Sequence, residues 1–453
     1  MIKNNLTIKL ISPRMSLRPM DSEMKRRMAP PLSLVTIASL TPEQHYVYIE
    51  DENVGKINFD DNPDLVGITV NIDTVYRAFE ISAKYRQKGA KVIFGGIYVS
   101  ACPQEVAGYC DSVCIGEAEN LWEQIINDYC NDDLKAQYFN PVPVDLSLVP
   151  VANWDYIKQK EKYLYNNIIV TSRGCPFKCE FCYNSCDYVS GKYRNRPVEN
   201  IITEIKKIGK KHIMFIDDNF IGNIDWTKSL IKQIKDMGLI WHAAVSTNIV
   251  HHPELIIKMA ESGCRSLFIG FESINDNSIL NVNKKQNKVS EYERLIKLLH
   301  DNGIMVNASL VFGFDNDTPE TFDKTLAWLI RNRVETMTGH ILTPYPGTIL
   351  YRRFEKDKRV FCHDLEKYNT AHAVFNPVYF APEQLEAEYR KIYKDFYSFR
   401  NILKRRPENK RIRASYFLFN FGYRKYGQFI SFFGRIGLMN SIGKLARRLS
   451  YGI

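Results

Sequence analysis

Short apolar segments that resemble strands alternate with helix-like segments along most of this 453-residue chain, and this alternation restricts the fold more than any other feature. In the first part of the chain, the apolar segments end in polar or glycine-containing turns and are separated by amphipathic stretches. Such alternation predicts a Rossmann-like, doubly wound parallel sheet. The predicted strands cover residues 6–11, 46–49, 65–70, 91–94 and 111–115, and the predicted helices cover residues 75–87 and 121–129.

A proline-containing segment, Asn140-Pro-Val-Pro-Val-Asp-Leu-Ser-Leu-Val-Pro150, predicts a domain boundary, after which the alternation resumes. Six strand–helix units predict a partial (β/α)6 barrel of the TIM type, which places its chemistry at the carboxyl ends of the strands. The predicted strands cover residues 167–171, 212–216, 240–246, 266–270, 305–312 and 336–342, and the helices include residues 198–208, 253–261 and 318–331.

From about residue 365 the pattern becomes helical, with one long helix predicted over residues 382–402. The chain is therefore expected to be an α/β protein with an α-helical C-terminal extension. The expected domains are residues 1–145, a Rossmann-like domain, residues 160–350, the partial barrel, and residues 365–453, the extension with its basic tail.

Composition indicates a cytoplasmic protein. No stretch approaches eighteen uninterrupted apolar residues, so a transmembrane helix is not expected, and the N-terminus lacks the pattern of a signal peptide. Ten cysteines in a chain of this length do not form a disulfide scaffold. In a reducing compartment, clustered thiols are more often metal ligands than bridges.

The positive charge of the chain is concentrated in its tail. Residues 403–453 contain twelve Lys or Arg and one acid, Glu408, which gives +11, whereas the whole chain carries +10. Aromatic residues are interleaved with these basic residues. The segment is expected to pack on the barrel with a solvated basic face, or to contact an anionic membrane surface at the inner face of the membrane. Nucleic acid is the least favoured partner.

Three cysteines with the spacing C-x3-C-x2-C follow the first predicted barrel strand: Cys175, Cys179 and Cys182. Three thiolates can hold three irons of a [4Fe–4S] cluster and leave the fourth iron open to another ligand. A zinc site would need a fourth ligand such as Cys186, but no second distant pair of ligands accompanies it. A ferredoxin-type cluster would need the run C-x2-C-x2-C-x3-C-P, which differs from this one.

With an aromatic residue, Phe181, before its last cysteine, this motif resembles the signature of the radical S-adenosylmethionine (SAM) superfamily. The resemblance implies that SAM chelates the open iron and that the reduced cluster cleaves it to a 5′-deoxyadenosyl radical. The three cysteines are then the metal ligands, and no other catalytic residue is assigned. Members take their electron from a flavodoxin or ferredoxin type of donor.

The resemblance also implies SAM contacts at the polar carboxyl ends of the barrel strands. Helix capping is an equally good explanation for any one of these residues, because Asp, Asn and Ser are favoured caps after strands. The residues assigned to SAM are Phe181, Asp217, Asp218, Ser246, Asn248, Glu272, Ser273 and Ser309.

The N-terminal region resembles the cobalamin-binding domain of one large branch of the superfamily, through the segments at residues 64–70, 92–96 and 111–117. Glycine allows the close backbone approach that a corrin needs, although the same glycines can simply end a strand. The D-x-H-x-x-G loop, whose histidine ligates cobalt in cobalamin mutases, is absent. The residues assigned to cobalamin are Thr69, Asn71, Gly95, Gly96, Gly116 and Glu117.

These resemblances imply a cobalamin-dependent C-methyltransferase that acts on an unactivated carbon of a small-molecule or lipid-like substrate. The C-terminal extension resembles that of a subset that includes the methylases of hopanoid lipids. The alternatives are a radical SAM cyclase or rearrangement enzyme without methyl transfer, and a non-enzymatic iron–sulfur or cobalamin sensor. A methylthiotransferase is disfavoured, because it needs three more N-terminal cysteines and no cysteine precedes Cys102.

Overall fold

The computed structural model describes residues 5–189 and 192–452, which form two six-stranded parallel sheets, one short hairpin and a helical C-terminal region. The strands are β1 (Thr7–Ser12), β2 (Tyr46–Asp51), β3 (Leu65–Thr69), β4 (Lys91–Gly95), β5 (Ser112–Ile115), β6 (Gln137–Phe139), β7 (Ile168–Ile169), β8 (Ser172–Arg173), β9 (Arg194–Asn195), β10 (His212–Phe215), β11 (Ile240–Val245), β12 (Cys264–Glu272), β13 (Met305–Phe312) and β14 (Thr336–Ile341).

The helices fall into three groups that follow the two sheets and the extension. They are α1 (Leu32–Leu40), α2 (Val75–Gln87), α3 (Ile97–Ala101), α4 (Pro103–Val106) and α5 (Trp122–Cys130); α6 (Val198–Ile208), α7 (Ile224–Ile234), α8 (Pro253–Glu261), α9 (Asp276–Leu280), α10 (Tyr292–Asp301), α11 (Pro319–Arg331) and α12 (Ile349–Lys356); and α13 (Pro382–Phe396), α14 (Phe399–Lys404), α15 (Lys410–Phe417), α16 (Gly427–Arg435) and α17 (Met439–Tyr451).

The first sheet has the strand order β2-β1-β3-β4-β5-β6, with all neighbours parallel. The chain passes from β1 to β2 on one side and then to β3 on the other, so the order reverses at β1. Ligands of such sheets bind beyond the carboxyl ends of the strands near the reversal. Buried side chains cover both faces of the sheet in two separate clusters, as a doubly wound fold requires.

The second sheet runs β7-β10-β11-β12-β13-β14 in chain order, again with all neighbours parallel, which is the arrangement of a partial barrel. Side chains along β12 alternate, with Leu267 and Ile269 buried against the helices and Phe268 exposed toward the lumen. The predicted α/β fold, with its Rossmann-like sheet, partial barrel and helical extension, is therefore confirmed.

The C-terminal extension covers the free edge of the barrel at β14. Three tyrosines spaced four residues apart on and just after α13 point their hydroxyl groups at the backbone of this strand. Tyr397 accepts from the N–H of Met337 at 3.0 Å and donates to its carbonyl at 2.7 Å. Tyr393 does the same at Gly339, whose carbonyl also accepts from Tyr389. These hydrogen bonds pair backbone groups of β14 that would otherwise be unpaired at the edge of the sheet.

Several local predictions were wrong or incomplete. The first barrel strand, expected over residues 167–171, covers Ile168–Ile169. The single helix expected over residues 382–402 is two helices, α13 and α14, because the chain breaks at Tyr397 and Ser398 caps the second helix through its Oγ. Strand β6 and helix α1 were not predicted, since β6 is short and partly exposed, and α1 is too uniformly apolar to show a helical period. No helix within residues 5–189 and 192–452 is long and apolar enough to cross a membrane.

Candidate active site

The cysteine motif lies directly after the first barrel strand, and Asp217 fixes the start of its loop. The Oδ1 atom of Asp217 accepts from the backbone N–H groups of Thr171 and Ser172 at 2.7 and 2.5 Å and from Ser172 Oγ at 2.8 Å. Its Oδ2 atom accepts from Thr171 Oγ1 at 3.0 Å. Burial raises the pKa of Asp217 to about 6, although these hydrogen bonds lower it. Both carboxylate oxygens thus accept hydrogen bonds from Thr171 and Ser172, just before the cysteine motif.

The three thiols of the motif lie close enough to influence one another. Cys179 is buried, and Cys175 and Cys182 are partly exposed. Burial raises the pKa of all three thiols, that of Cys182 to about 12, and neighbouring thiols add to the rise at Cys175 and Cys182. Cys186 instead faces Gly347, where an added Cβ would lie 3.3 Å from the Sγ atom of Cys186.

No three His, Cys, Asp or Glu side chains within residues 5–189 and 192–452 converge on one metal ion. A [4Fe–4S] cluster does not require such convergence, because each of its cysteines binds a different iron.

A buried group next to the motif joins Glu272, Lys284 and Ser309. Lys284 Nζ lies 2.8 Å from Glu272 Oε1, and Ser309 Oγ donates to Glu272 Oε2 at 3.3 Å. Burial lowers the pKa of Lys284, but the charges of Glu272 and of Cys179 outweigh it and raise the pKa to about 12. The ion pair with Glu272 favours the charged form of Lys284, and its Nζ lies 5.9 Å from the ring centre of Phe181.

Sequence reasoning placed Glu272, Ser309 and Phe181 at the site but missed Lys284 and Gln286. Gln286 Nε2 points at Cys179 Sγ at 3.7 Å. Both residues belong to a polar loop after α9, and a lysine in such a loop is ordinarily solvated, so the sequence gives no signal for its burial. Lys284 and Gln286 approach Glu272 and Cys179 because the folded loop returns to the end of β12.

The other residues assigned to SAM are found in different settings. Asp218 is exposed and lines the cavity described below. Ser246 Oγ donates to Asn248 Oδ1 at 2.5 Å, and the Ser246 N–H donates to Asn219 Oδ1 at 3.3 Å, so these strand-end groups bind one another. Ser273 Oγ accepts from the N–H of Asn275, the residue that caps α9. For Ser246, Asn248 and Ser273, the described contacts are local, and their contact with SAM stays a prediction.

A cavity of about 710 Å³ lies between the N-terminal sheet and the barrel. From the sheet side it is lined by the carboxyl ends of β3, β4 and β5, and from the barrel side by the loop that leads into the cysteine motif. Five of the six residues assigned to cobalamin line it, whereas Asn71 is exposed and does not. The sheet side contributes Thr69, Gly95, Gly96, Gly116 and Glu117, and the barrel side contributes Ser172, Arg173, Gly174, Asn184 and Asp218.

Steric contact, backbone conformation or open space accounts for the glycines that line the cavity. A Cβ at Gly96 would lie 2.8 Å from the carbonyl oxygen of Val70, and its φ is +111°, so the strand end itself requires glycine there. A Cβ at Gly95 would meet only Cys114, at 3.9 Å. One at Gly116 would meet nothing within 4 Å, although the φ of +82° there itself favours glycine. At these two positions the protein leaves open space over bare backbone.

Glu117 joins the two domains at the rim of this cavity. Its carboxylate accepts from Arg194 Nη2 at 2.6 Å and from Nη1 at 3.0 Å, and from the N–H of Val144 at 2.8 Å. Arg173, two residues before Cys175, forms an ion pair with Glu119. Burial raises the pKa of Glu117, but its hydrogen bonds and the charges of the two arginines outweigh it and leave the pKa lowered. These pairs fix the cysteine loop relative to the N-terminal sheet.

Comparison with known proteins agrees with this geometry. The model of the radical SAM superfamily matches residues 169–329. The chain is 30% identical over 387 residues to the bacteriochlorophyllide d C-12(1)-methyltransferase of Chlorobaculum tepidum, covering 83% of this chain and 84% of the relative. It is 29% identical over 413 residues to the C-8(2)-methyltransferase of the same organism, covering 86% and 91%.

A solved structure shows the same fold over nearly the whole chain. It is the radical SAM methyltransferase TsrM of Kitasatospora setae with cobalamin and a [4Fe–4S] cluster bound. The TM-score is 0.67 at 16% identity, and the match covers 98% of this chain and 100% of that one. The chain therefore belongs to the radical SAM superfamily and is an enzyme that uses a [4Fe–4S] cluster and SAM.

Proposed function

We propose that this enzyme is a cobalamin-dependent radical SAM C-methyltransferase that acts on an unactivated carbon. The observation that carries the proposal is the cavity between the domains, which joins the glycine-lined strand ends of the N-terminal sheet to the loop of the cysteine motif. A second cofactor in this cavity would therefore border the cluster site directly. The methyltransferase names of the relatives over most of the chain support the same reaction.

The cavity suits a large ligand with extensive apolar surface, because apolar side chains such as Leu32, Trp122 and Val149 line much of it. Its volume lies within the range of cofactor pockets. The bare backbone at Gly95 and Gly116 provides a surface that a corrin edge can approach. None of the lining residues in the described part of the chain is a histidine. Cobalamin would thus be held here without an imidazole ligand to cobalt, in agreement with the missing D-x-H-x-x-G loop.

Each residue of the site would have a separate role. Cys175, Cys179 and Cys182 would hold the cluster, and Asp217 holds the loop that presents them. The charge of Lys284 would favour the anionic thiolates, and Glu272 keeps that lysine in place. When bound, the cluster and SAM supply a 5′-deoxyadenosyl radical, and cobalamin supplies a methyl group. The two acid–arginine pairs at Glu117 and Glu119 hold the two cofactor sites in a fixed relation.

The substrate is proposed to be a small molecule with a large apolar body or a lipid-like chain. The lumen side of the barrel presents Ile216, 42% exposed, and Phe268, 36% exposed, and both suit apolar contact. The two relatives described above act, by name, on bacteriochlorophyllide d, a large ring system. A flavodoxin or ferredoxin type of protein is the proposed electron donor, and the cytoplasm is the proposed compartment.

The test uses the anaerobically reconstituted protein. Reductant and SAM should yield 5′-deoxyadenosine, hydroxocobalamin should stay bound through gel filtration, and isotope-labelled methyl from SAM should appear on cobalamin. Gly95→Val should abolish cobalamin retention, because its side chain fills the open space without backbone strain. Gly108→Val is the matched control, since Gly108 is exposed and a Cβ there meets nothing within 4 Å.

Two outcomes would contradict the proposal. Formation of 5′-deoxyadenosine without cobalamin retention would favour a cyclase or rearrangement enzyme. If Gly95→Val retained as much cobalamin as the wild type, this cavity would not be the cobalamin site.

A further inference from the structure

The last two helices present their large apolar side chains to solvent. On α16, Phe429 is 68% exposed, Phe432 is 57% exposed, and Ile436, just after the helix, is 58% exposed. On α17, Leu445 and Leu449 are 57% and 58% exposed. Spacings of three and four residues place each set on one side of its helix. We call the exposed sides of α16 and α17, with the linker 436–438, the tail face.

Small residues occupy the opposite, buried side of α16. Gly427, Ser431 and Gly434 follow the same helical spacing and are buried. A Cβ at Gly427 would lie 2.8 Å from Ser22 Oγ, and one at Gly434 would lie 2.8 Å from Arg27 Cδ. There is no room for a phenylalanine on this side, so the helix cannot rotate to bury its aromatic residues.

Helix α17 repeats this arrangement. Its buried side contains Gly443, where a Cβ would lie 2.8 Å from the carbonyl oxygen of Leu164. Arg447 Nη1 donates to the same carbonyl at 3.2 Å. The outward leucines alternate with the exposed Lys444 and Arg448. A surface helix in water ordinarily buries its large apolar side chains. Helix α17 buries Met439, but both helices leave the large apolar side chains named above exposed.

The charged residues of the tail segment itself are all basic. Residues 424–452 contain six Lys or Arg and no Asp or Glu. Acidic neighbours come from other elements: Glu161, which is exposed and whose Cγ would lie 3.6 Å from a Cβ at Gly437, and Asp21 and Glu23 of the segment packed against α16. The tail face thus combines outward aliphatic and aromatic side chains with a surplus of positive charge.

We propose that the tail face docks on an anionic lipid bilayer surface. Outward apolar side chains enter the boundary between headgroups and acyl chains, and the basic residues pair with anionic headgroups. RNA fits less well, because its bases stack on aromatic rings but gain little from Ile436, Leu445 and Leu449. A second copy of the chain would bring two surfaces of the same charge together. No tail residue lines the cavity between the domains, so this docking does not depend on the proposed methyl transfer.

The experiment is flotation of the full-length protein with vesicles of phosphatidylglycerol and phosphatidylcholine in equimolar mixture, or of phosphatidylcholine alone. The wild type should float with the anionic vesicles, and high salt should weaken the binding. Lys444→Gln with Arg448→Gln should weaken it about fivefold per charge at low salt. Phe429→Ser with Phe432→Ser should weaken it by about tenfold or more through lost apolar insertion.

The matched control is Val378→Ser with Tyr379→Ser, two residues that are 55% and 57% exposed on another part of the molecule. These should float like the wild type, and all variants should bind the cluster equally, since only exposed side chains change. Equal binding to neutral vesicles would overturn the proposal, and so would flotation that the phenylalanine changes leave intact. Binding to single-stranded RNA without flotation would assign the tail face to nucleic acid instead.

Discussion

Removal of the Asp217 carboxylate should detach the cysteine loop from the barrel. In Asp217→Ala, the buried N–H groups of Thr171 and Ser172 lose the acceptor that they now reach at 2.7 and 2.5 Å. A buried donor without a partner costs about 1–3 kcal/mol, so the two together should lower the free energy of unfolding by about 2–6 kcal/mol. The lost hydrogen bonds hold Thr171 and Ser172, four and three residues before Cys175, so cluster binding should fall with stability.

Asp217→Asn separates hydrogen bonding from charge. The amide oxygen of Asn can keep the three contacts of Oδ1, and Thr171 Oγ1 can turn to accept from the amide nitrogen. The buried charge is removed at the same time, and burial already disfavours that charge, as the pKa of about 6 indicates. Asp217→Asn should therefore lose about 1 kcal/mol or less and should keep the cluster.

The assay is urea unfolding of the protein without its cluster, together with iron content after anaerobic reconstitution. The expected order of stability and of iron content is wild type, then Asp217→Asn close behind, then Asp217→Ala far below. If Asp217→Ala unfolded at the urea concentration of the wild type and bound as much iron, Asp217 would not support the loop, and the reasoning would be refuted.

Three other perturbations test separate parts of the structure. Lys284→Met leaves Glu272 buried without its partner and should cost about 3–5 kcal/mol in urea unfolding, whereas Lys285→Met, at the exposed neighbour, should stay within about 0.5 kcal/mol. Arg194→Ala removes two hydrogen bonds to a charged group and should cost about 2 kcal/mol by the same measure. His212 and His242 share an Nε2–Nε2 hydrogen bond of 2.9 Å, and burial lowers the pKa of both, that of His242 to about 4. Their contribution to stability is present above the unfolded pKa of about 6.5 and is lost as the pH falls, so the free energy of unfolding should be lower at about pH 5 than at pH 7. His242 alone should account for about 2 kcal/mol of this difference, and His242→Asn should flatten the slope.

The sequence predicts the fold well where a local period exists. Predicted and observed bounds agree for α2, α6, α8 and β13, since each has a clear apolar pattern and a defined end. Prediction failed where a local cap interrupts a helical pattern that continues past it. The chain turns at Ser398 because α14 begins there with its own cap, although the helical pattern of residues 382–402 continues through it.

The sequence likewise predicts the location of the site but not the role of each polar residue in it. The cysteine motif and the strand ends follow from chain order, because parallel strands deliver their carboxyl ends to one side of a sheet. The roles of individual polar residues do not follow from chain order. The assignment of Asp217 to SAM stays a prediction, and only the folded chain shows that its carboxylate accepts from Thr171 and Ser172.

Glu272 illustrates why site residues escape local rules. Its φ is +63°, in the left-handed region, which costs a residue other than glycine about 1–3 kcal/mol. The regular pairing of β12 with β13 shifts at this point, after Gly270. A Cβ at Gly270 would lie 2.6 Å from Glu272 Oε1 and 3.1 Å from Lys284 Nζ, so the glycine makes room for the ion pair. The left-handed backbone of Glu272, the glycine at position 270 and the buried Lys284 depend on one another. Each is unfavourable or uninformative by itself, and their joint effect is to hold a positive charge beside Cys179, where a thiolate-bound cluster benefits from it.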